Sequence, residues 1–162
     1  MSELKELAAE AKHELLTHII PFWRGMRDDK FGGYYGYLSY DLALDEKAEK
    51  GCILNSRITW FFANAYLLYK DGGISEEECE AAGFKGEDLL AEAKHGYEFL
   101  REHCIDKEYG GIFWSLNYDG TPLDTTKHTY NQAFCIYALS SYYDAALSLI
   151  HISEPTRQAE IS

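Results

Sequence analysis

The sequence predicts an all-α chain folded as an open α/α toroid, with two outer/inner helix pairs and β-hairpin arms at one end. Two observations carry that prediction. The first is an internal repeat. A displacement of 78 residues lays Asp28, Gly32, Gly33, Leu38, Tyr40 and Asp41 on Asp106, Gly110, Gly111, Leu116, Tyr118 and Asp119, six identities in fourteen positions. Ahead of this block, Ala9-Glu10-Ala11-Lys12-His13 matches Ala91-Glu92-Ala93-Lys94-His95 at a displacement of 82, and behind it Asn55 and Tyr66 match Asn131 and Tyr142 at 76. The second observation is where the charges fall, since each unit reads as charged helix, aromatic arm, uncharged helix. A helix apolar on every side must be covered on every side, whereas one with a charged face can meet water. The uncharged helices are therefore expected inside and the charged ones outside. Two units cannot close a ring, so the chain is expected to be part of a longer protein.

Each element has its own local reason. Leu4, Leu7, Ala8, Ala11, Leu15 and Ile19 recur at helical spacing, which predicts an outer helix from about Glu3 to Ile20, closed by Pro21. Asp28 to Gly33 forms a glycine turn into Tyr34–Tyr40, an aromatic run suited to a hairpin arm. Cys52 to Tyr69 is long enough for five helical turns, carries Arg57 as its single charge, and is stopped by Asp71-Gly72-Gly73. The acidic stretch Ser75–Gly86 reads as a solvated connection with room for a short helix. Leu89, Leu90, Ala93, Tyr97 and Leu100 stripe a second outer helix over Asp88–His103. Asp106 to Gly111 then opens the second arm, Ile112 to Tyr118, turned by Asp119-Gly120. A second inner helix is expected from near Tyr130 to about Ala146. Residues 1–146 are taken as one domain. The remaining LSLIHISEPTRQAEIS, 147–162, abandons the repeat, resembles a translated sequencing-adaptor sequence, and is expected to be a non-native tail.

Composition excludes several partners. With 15 Lys and Arg against 27 Asp and Glu the formal charge is −12, and no basic cluster offsets it, so nucleic acid and anionic membrane surfaces are disfavoured. Asn55, Ser56, Arg57, Thr59 and Asn64 break the longest apolar stretch, which argues against a membrane span. The four cysteines, Cys52, Cys79, Cys104 and Cys135, show no zinc-site spacing, and the charged amino terminus is unlike a signal peptide. Free thiols in a reducing, cytoplasmic setting are expected.

Few residues point to chemistry. Arg57 shares a helix face with Trp60 and Asn64, and a buried guanidinium requires a partner. That partner would be a carboxylate from another helix, or an oxyanion or sugar hydroxyls in a central pocket. Spacing alone ranks the structural ion pair first. Tyr130, Asn131 and Gln132 stand at the mouth of the second inner helix, where they could line a cavity, and Asn131 could equally cap the helix. The arm aromatics, Tyr34, Tyr35, Tyr37 and Tyr40 in one unit and Phe113, Trp114 and Tyr118 in the other, suit the C–H faces of sugar rings or simply fasten the arms. His128 reads as a surface or capping residue, and His13, His18, His95, His103 and His151 receive no chemical role. No phosphate loop, Ser-His-Asp set or paired carboxylate is present in the pattern.

The strings IIPFW (19–23), GGYYGYLSYD (32–41), KGCILNSRITWFF (50–62), AKHGYEFL (93–100), EYGGIFW (108–114) and KHTYNQAFCIYALSSYY (127–143) resemble the N-terminal part of the N-acylglucosamine 2-epimerase superfamily, in its branch acting on cellobiose. The resemblance runs in register over residues 2–146. It implies an incomplete (α/α)6 toroid and reversible epimerisation at C2 of the reducing-end glucose of cellobiose or lactose. Histidines would move the proton through a cis-enediolate, and no metal or organic cofactor would be needed. It implies a disaccharide partner and an intact enzyme that is a monomer or homodimer. Arg57, in LNSR, would stabilise the enediolate oxygens. Tyr130, in KHTYN, would offer a pocket hydroxyl, with Asn131 and Trp114 as further substrate contacts. The proton-transfer histidines belong to later helices, so this chain alone is expected to be inactive. Action on N-acylglucosamine, an (α/α)6 glycoside hydrolase and a non-catalytic helical-repeat binding module are the competing readings.

Overall fold

The computed structural model describes residues 2–159, with side chains for residues 3–147. Helix α1 (Ser2–Glu14) passes through a π-helical turn (Leu15–Ile19) into α2 (Ile20–Gly25). The first arm follows and ends in β1 (Lys50–Gly51), which leads directly into α3 (Cys52–Lys70). After α4 (Glu76–Ala81) and α5 (Gly86–Phe99) comes a second π-helical turn (Leu100–Cys104). The second arm holds β2 (Ser115–Leu116) and β3 (Pro122–Asp124), and α6 (Thr129–Ala159) completes the chain. Helices α1–α2 and α5 form the outer layer, and α3 and α6 the inner one. This is the two-pair, incomplete toroid that the charge pattern predicts. No described helix is long and apolar enough to cross a membrane.

Pro21 does not end the first helix. The wider π turn before it lets the chain restart, and Pro21 falls in the first turn of α2, where a missing N–H costs no helical bond. The acidic connection contains a genuine helix. Ser75 Oγ accepts the Glu78 N–H at 3.2 Å, and the Glu78 carboxylate accepts the Ser75 N–H at 2.9 Å. Helix α6 extends past Ala146 to Ala159 in its backbone, because residues 147–154 hold no glycine or proline to stop it. The side chains of the tail beyond Leu147, His151 included, lie outside the described residues. The first arm is less regular than a hairpin, being closed by single bridges between Arg27 and Tyr34 and between Leu38 and Leu44. One antiparallel sheet, in the order β1-β2-β3, joins the two arms.

The repeat becomes physical at the two Asp-x-x-x-Gly-Gly turns. Asp28 Oδ1 accepts the N–H groups of Lys30 and Phe31, its own N–H donates to the Gly33 carbonyl, and its Oδ2 meets Lys50 Nζ at 2.6 Å. Asp106 repeats every contact, with Glu108, Tyr109, Gly111 and Lys127, again at 2.6 Å. An amide from the inner helix then takes the next N–H: Asn55 Oδ1 from Tyr34 at 2.9 Å and Gln132 Oε1 from Ile112 at 2.7 Å. The counterpart of Asn55 is therefore Gln132 and not Asn131, and the inner helices repeat at 77 residues. Gly33 is required here. Its φ is +67°, and a Cβ would stand 2.6 Å from Asn55 Oδ1.

The two braces differ in burial. Lys50 and Asp28 are wholly enclosed, whereas the Lys127 side chain is about one-third exposed. The Lys127 ammonium and then the Tyr109 N–H hold the Asp106 carboxyl at about 2, below the ~3.9 of an unfolded aspartate. A carboxyl lowered on folding stabilises the folded chain above its unfolded value, and that stabilisation disappears as pH falls through the folded value. Thermal melts from pH 5 down to pH 2 are thus expected to show a loss between about pH 4 and about 2 that Asp106→Asn reduces.

Two cores lie between the layers. One joins Leu16, Ile20 and Met26 to Tyr34, Ile58, Phe62, Tyr66, Leu89 and Ala93. The other, beneath the second arm, holds Cys52, Phe99, Leu100, Cys104, Ile112, Leu116, Cys135 and Ala138. Tyr34 pins the first arm to α5, with its hydroxyl donating to Glu92 Oε2 at 3.2 Å, while Arg27 Nη1 holds the same oxygen at 3.2 Å. Burial first, then the Glu92 charge, pushes the Tyr34 hydroxyl well above its ordinary pKa. Leu4 and Leu7, expected on the buried stripe of α1, are exposed.

Candidate functional site

Most polar side chains of α3 are satisfied by their own helix. Ser56 Oγ donates to the Cys52 carbonyl at 2.8 Å, Thr59 Oγ1 to that of Asn55 at 2.8 Å, and Asn64 Nδ2 to that of Trp60 at 2.9 Å. This is how an inner helix accommodates them without partners from elsewhere. Arg57 differs. Its side chain is exposed and not buried, and among the described residues it has no ion pair or hydrogen bond. The structural carboxylate partner that spacing favoured is therefore absent from the described residues. The guanidinium carbon instead lies 5.7 Å from the centre of the Phe134 ring on α6.

Aromatic rings surround it on the α3–α6 face. Tyr130 meets Phe134 edge-on at 5.1 Å, and one turn along each helix Trp60 stacks on Tyr137 at 5.3 Å with 19° between the planes. Arg57 on Phe134 and Trp60 on Tyr137 step forward by three residues on both helices, so α3 and α6 run parallel. Both pairs are separated by the 77 residues of the inner-helix repeat, which places equivalent positions of the two units in contact. Around Arg57 the face is largely aromatic, with Asn64 on α3 and Asp144 on α6 two turns from Arg57 and Tyr137 respectively. Tyr130 and Tyr137 are more than half exposed on it. It is an open surface and not the enclosed hollow that a central pocket would require. A crevice of 620 Å³ between α1 and the end of α3, lined by Ala8, Ala11, Leu15 and Leu68, does not include Arg57.

The other two expected substrate residues sit differently. The Trp114 ring packs edge-on against His128 at 4.7 Å, and its backbone is held on both sides, by Asp124 through its N–H and by Cys52 through its carbonyl. Half-buried, it is tied through His128 to the mouth of α6, two residues before Tyr130. Asn131 is fully buried. Its Nδ2 donates to the Phe113 carbonyl at 2.6 Å, and its Oδ1 has no hydrogen-bond partner. With Gln132 bonded to both backbone groups of Ile112, two consecutive amides clamp the second arm. The structure thus brings Arg57 and Tyr130 together through Phe134 and sets Trp114 beside the same helix mouth. Asn131 lies beneath the arm. Phe134 and Tyr137 were missed from the sequence, although reading the inner repeat at 77 would have paired them with Arg57 and Trp60.

Several histidines are already engaged. His95 Nε2 contacts the Gly33 carbonyl at 2.8 Å, His103 Nδ1 the Gly120 carbonyl at 3.2 Å, and His18 the Glu14 carboxylate at 3.1 Å. None of these three touches the Arg57 cluster.

Known proteins are similar to this arrangement. The signature of the family described as N-acylglucosamine 2-epimerase (GlcNAc 2-epimerase) matches residues 33–149. The cellobiose 2-epimerase of Ruminococcus albus is 53% identical over 140 residues, which are 86% of this chain and 32% of that protein. That of Eubacterium cellulosolvens is 54% identical over 136 residues, 84% of this chain and 30% of that protein. The solved structure of cellobiose 2-epimerase from Bacillus thermoamylovorans B4167 superposes with a TM-score of 0.75 at 38% identity, covering 93% of this chain and 37% of that one. The chain therefore spans about a third of the length of the relatives it matches. With the signature covering both arms and both inner helices, and the superposition holding across both helix pairs, this chain belongs to the N-acylglucosamine 2-epimerase family.

Proposed function

We propose that the chain forms the N-terminal part of a sugar 2-epimerase that interconverts the C2 configurations of the reducing-end glucose in cellobiose or lactose. The observation that carries this reading is Arg57: a cation without a counter-ion among the described residues, set on the Phe134 ring, with Tyr130 against Phe134 and the Trp60–Tyr137 stack one turn along. Removing the C2 proton of an opened sugar spreads negative charge over the oxygens of C1 and C2. A guanidinium presents two parallel donors at the spacing of such an oxygen pair. Tyr130 supplies a hydroxyl at the helix mouth, and Trp114 a ring for the C–H face of a pyranose. Asn131 acts on substrate only indirectly, by holding the Phe113 carbonyl and so the peptide that carries Trp114. The acid and base that move the proton, imidazoles with pKa values near neutrality, belong to the part of the fold beyond this third.

The test is a chimera in which residues 2–146 replace the matching segment of the Ruminococcus albus enzyme. It is expected to epimerise cellobiose and to exchange the C2 hydrogen in deuterated water, while the 162-residue chain alone exchanges none. A folded chimera without epimerase activity, or exchange by the isolated chain, would overturn the proposal.

A further inference from the structure

Three of the four thiols converge from three different elements. Cys52 opens α3, Cys104 ends the π turn of the second outer layer, and Cys135 lies nearly two turns into α6; all are buried in the core beneath the second arm. The backbone fixes the first two against each other. The Cys104 carbonyl accepts the Phe113 N–H at 3.0 Å, and the Cys52 N–H donates to the carbonyl of the next residue, Trp114, at 3.1 Å. The bridge between Ile105 and Ile112 and the pairing of Gly51 with Ser115 lock this register from both ends. Among the described residues no group of three or more His, Cys, Asp or Glu side chains is placed to hold a metal ion. The chemistry that remains open to this cluster is between pairs of thiols.

From this geometry we infer that Cys52 and Cys104 are a latent disulfide, formed when a two-electron thiol oxidant reaches the second core. The inference goes beyond the epimerase reading and does not depend on it. Those backbone bonds hold Cys52 and Cys104 to consecutive residues of the second arm, while Cys135, on α6, shares the core without such a tie and is the less suited resolving group. Burial holds Cys104 well above the ordinary thiol pKa, so little thiolate exists and the pair stays reduced under mild conditions. With a diazene such as diamide, one thiol adds across the N=N bond and the second displaces the nitrogen from sulfur. One S–S bond forms, both thiol protons end on the hydrazine, and two electrons pass from sulfur to nitrogen. The new bond would tie the end of an outer helix to the first residue of the helix that carries Arg57, closing a loop of about fifty residues.

The experiment exposes the full 162-residue chain to diamide and maps cross-links by mass spectrometry of non-reduced peptides. A Cys52–Cys104 link is expected, reversed by dithiothreitol, retained in Cys135→Ala and lost in Cys104→Ala, with Cys79 left free. The oxidised chain should melt roughly 10 °C higher than the reduced one. Recovery of Cys52–Cys135, any link through Cys79, or four unlinked thiols after exposure at the edge of the unfolding transition would overturn the assignment. Because the mapping uses the unaltered chain, it decides between these outcomes even where a cysteine variant fails to fold.

Discussion

Lys50→Met is expected to cost the folded chain about 3–5 kcal/mol, read as a lower midpoint in denaturant unfolding. Lys50 is fully enclosed, with its ammonium 2.6 Å from Asp28 Oδ2 and 2.7 Å from the Gly32 carbonyl. Removing the cation leaves Asp28 as a buried, uncompensated carboxylate. Its remaining bonds to the Lys30 and Phe31 N–H groups favour the charged form, against the burial that disfavours it. The double variant Asp28→Asn/Lys50→Met carries no buried charge and should recover a substantial part of the loss. Equal destabilisation by the single and double variants would show that the pair matters through packing rather than charge. Lys127→Met, at the partly exposed copy of the brace, should cost less, because water reaches the Lys127 side chain and can solvate Asp106 once it is gone.

Arg57→Ala in the chimera is expected to lower kcat for cellobiose epimerisation by roughly 10²–10³-fold, with the fall concentrated in kcat and a smaller change in KM. An interaction that grows as the enediolate forms lowers both kcat and kcat/KM, whereas loss of simple substrate binding raises KM alone. Arg57→Lys should restore only part of the rate, since a single ammonium cannot address two oxygens at once. Thermal stability should barely change, because Arg57 is exposed and holds no ion pair among the described residues. A large fall in melting temperature with little effect on rate would instead make Arg57 a packing residue on the Phe134 ring.

What was legible in the sequence is what contiguous stretches of chain dictate. Each Asp-x-x-x-Gly-Gly turn contains its own carboxylate, its own N–H donors and two glycines at positive φ, so the repeat could be found by identity and its geometry follows from local bonding. The charge pattern likewise separated outer from inner helices, because a charged side chain cannot be covered cheaply whatever the surrounding fold. Arg57 and Tyr130 were identifiable as unusual for the same reason, as polar groups on helices otherwise built to be covered.

The tertiary structure alone decided which of those groups meet. Parallel packing of α3 against α6 put Arg57 over Phe134 and Trp60 over Tyr137, and the same packing gave Asn55 its counterpart in Gln132 and placed Asn131 under the Phe113 carbonyl. A π turn carried the first helix past Pro21, and the second arm tied Cys52, at the start of an inner helix, and Cys104, at the end of an outer one, to consecutive residues. Apart from the π turn, these contacts join residues far apart in the chain, and only the 77-residue repeat of the inner helices hinted at any of them. Their register depends on how whole faces interdigitate, a small difference among many nearly equal packings, whereas turns, caps and charge faces are set by bonds a few residues long.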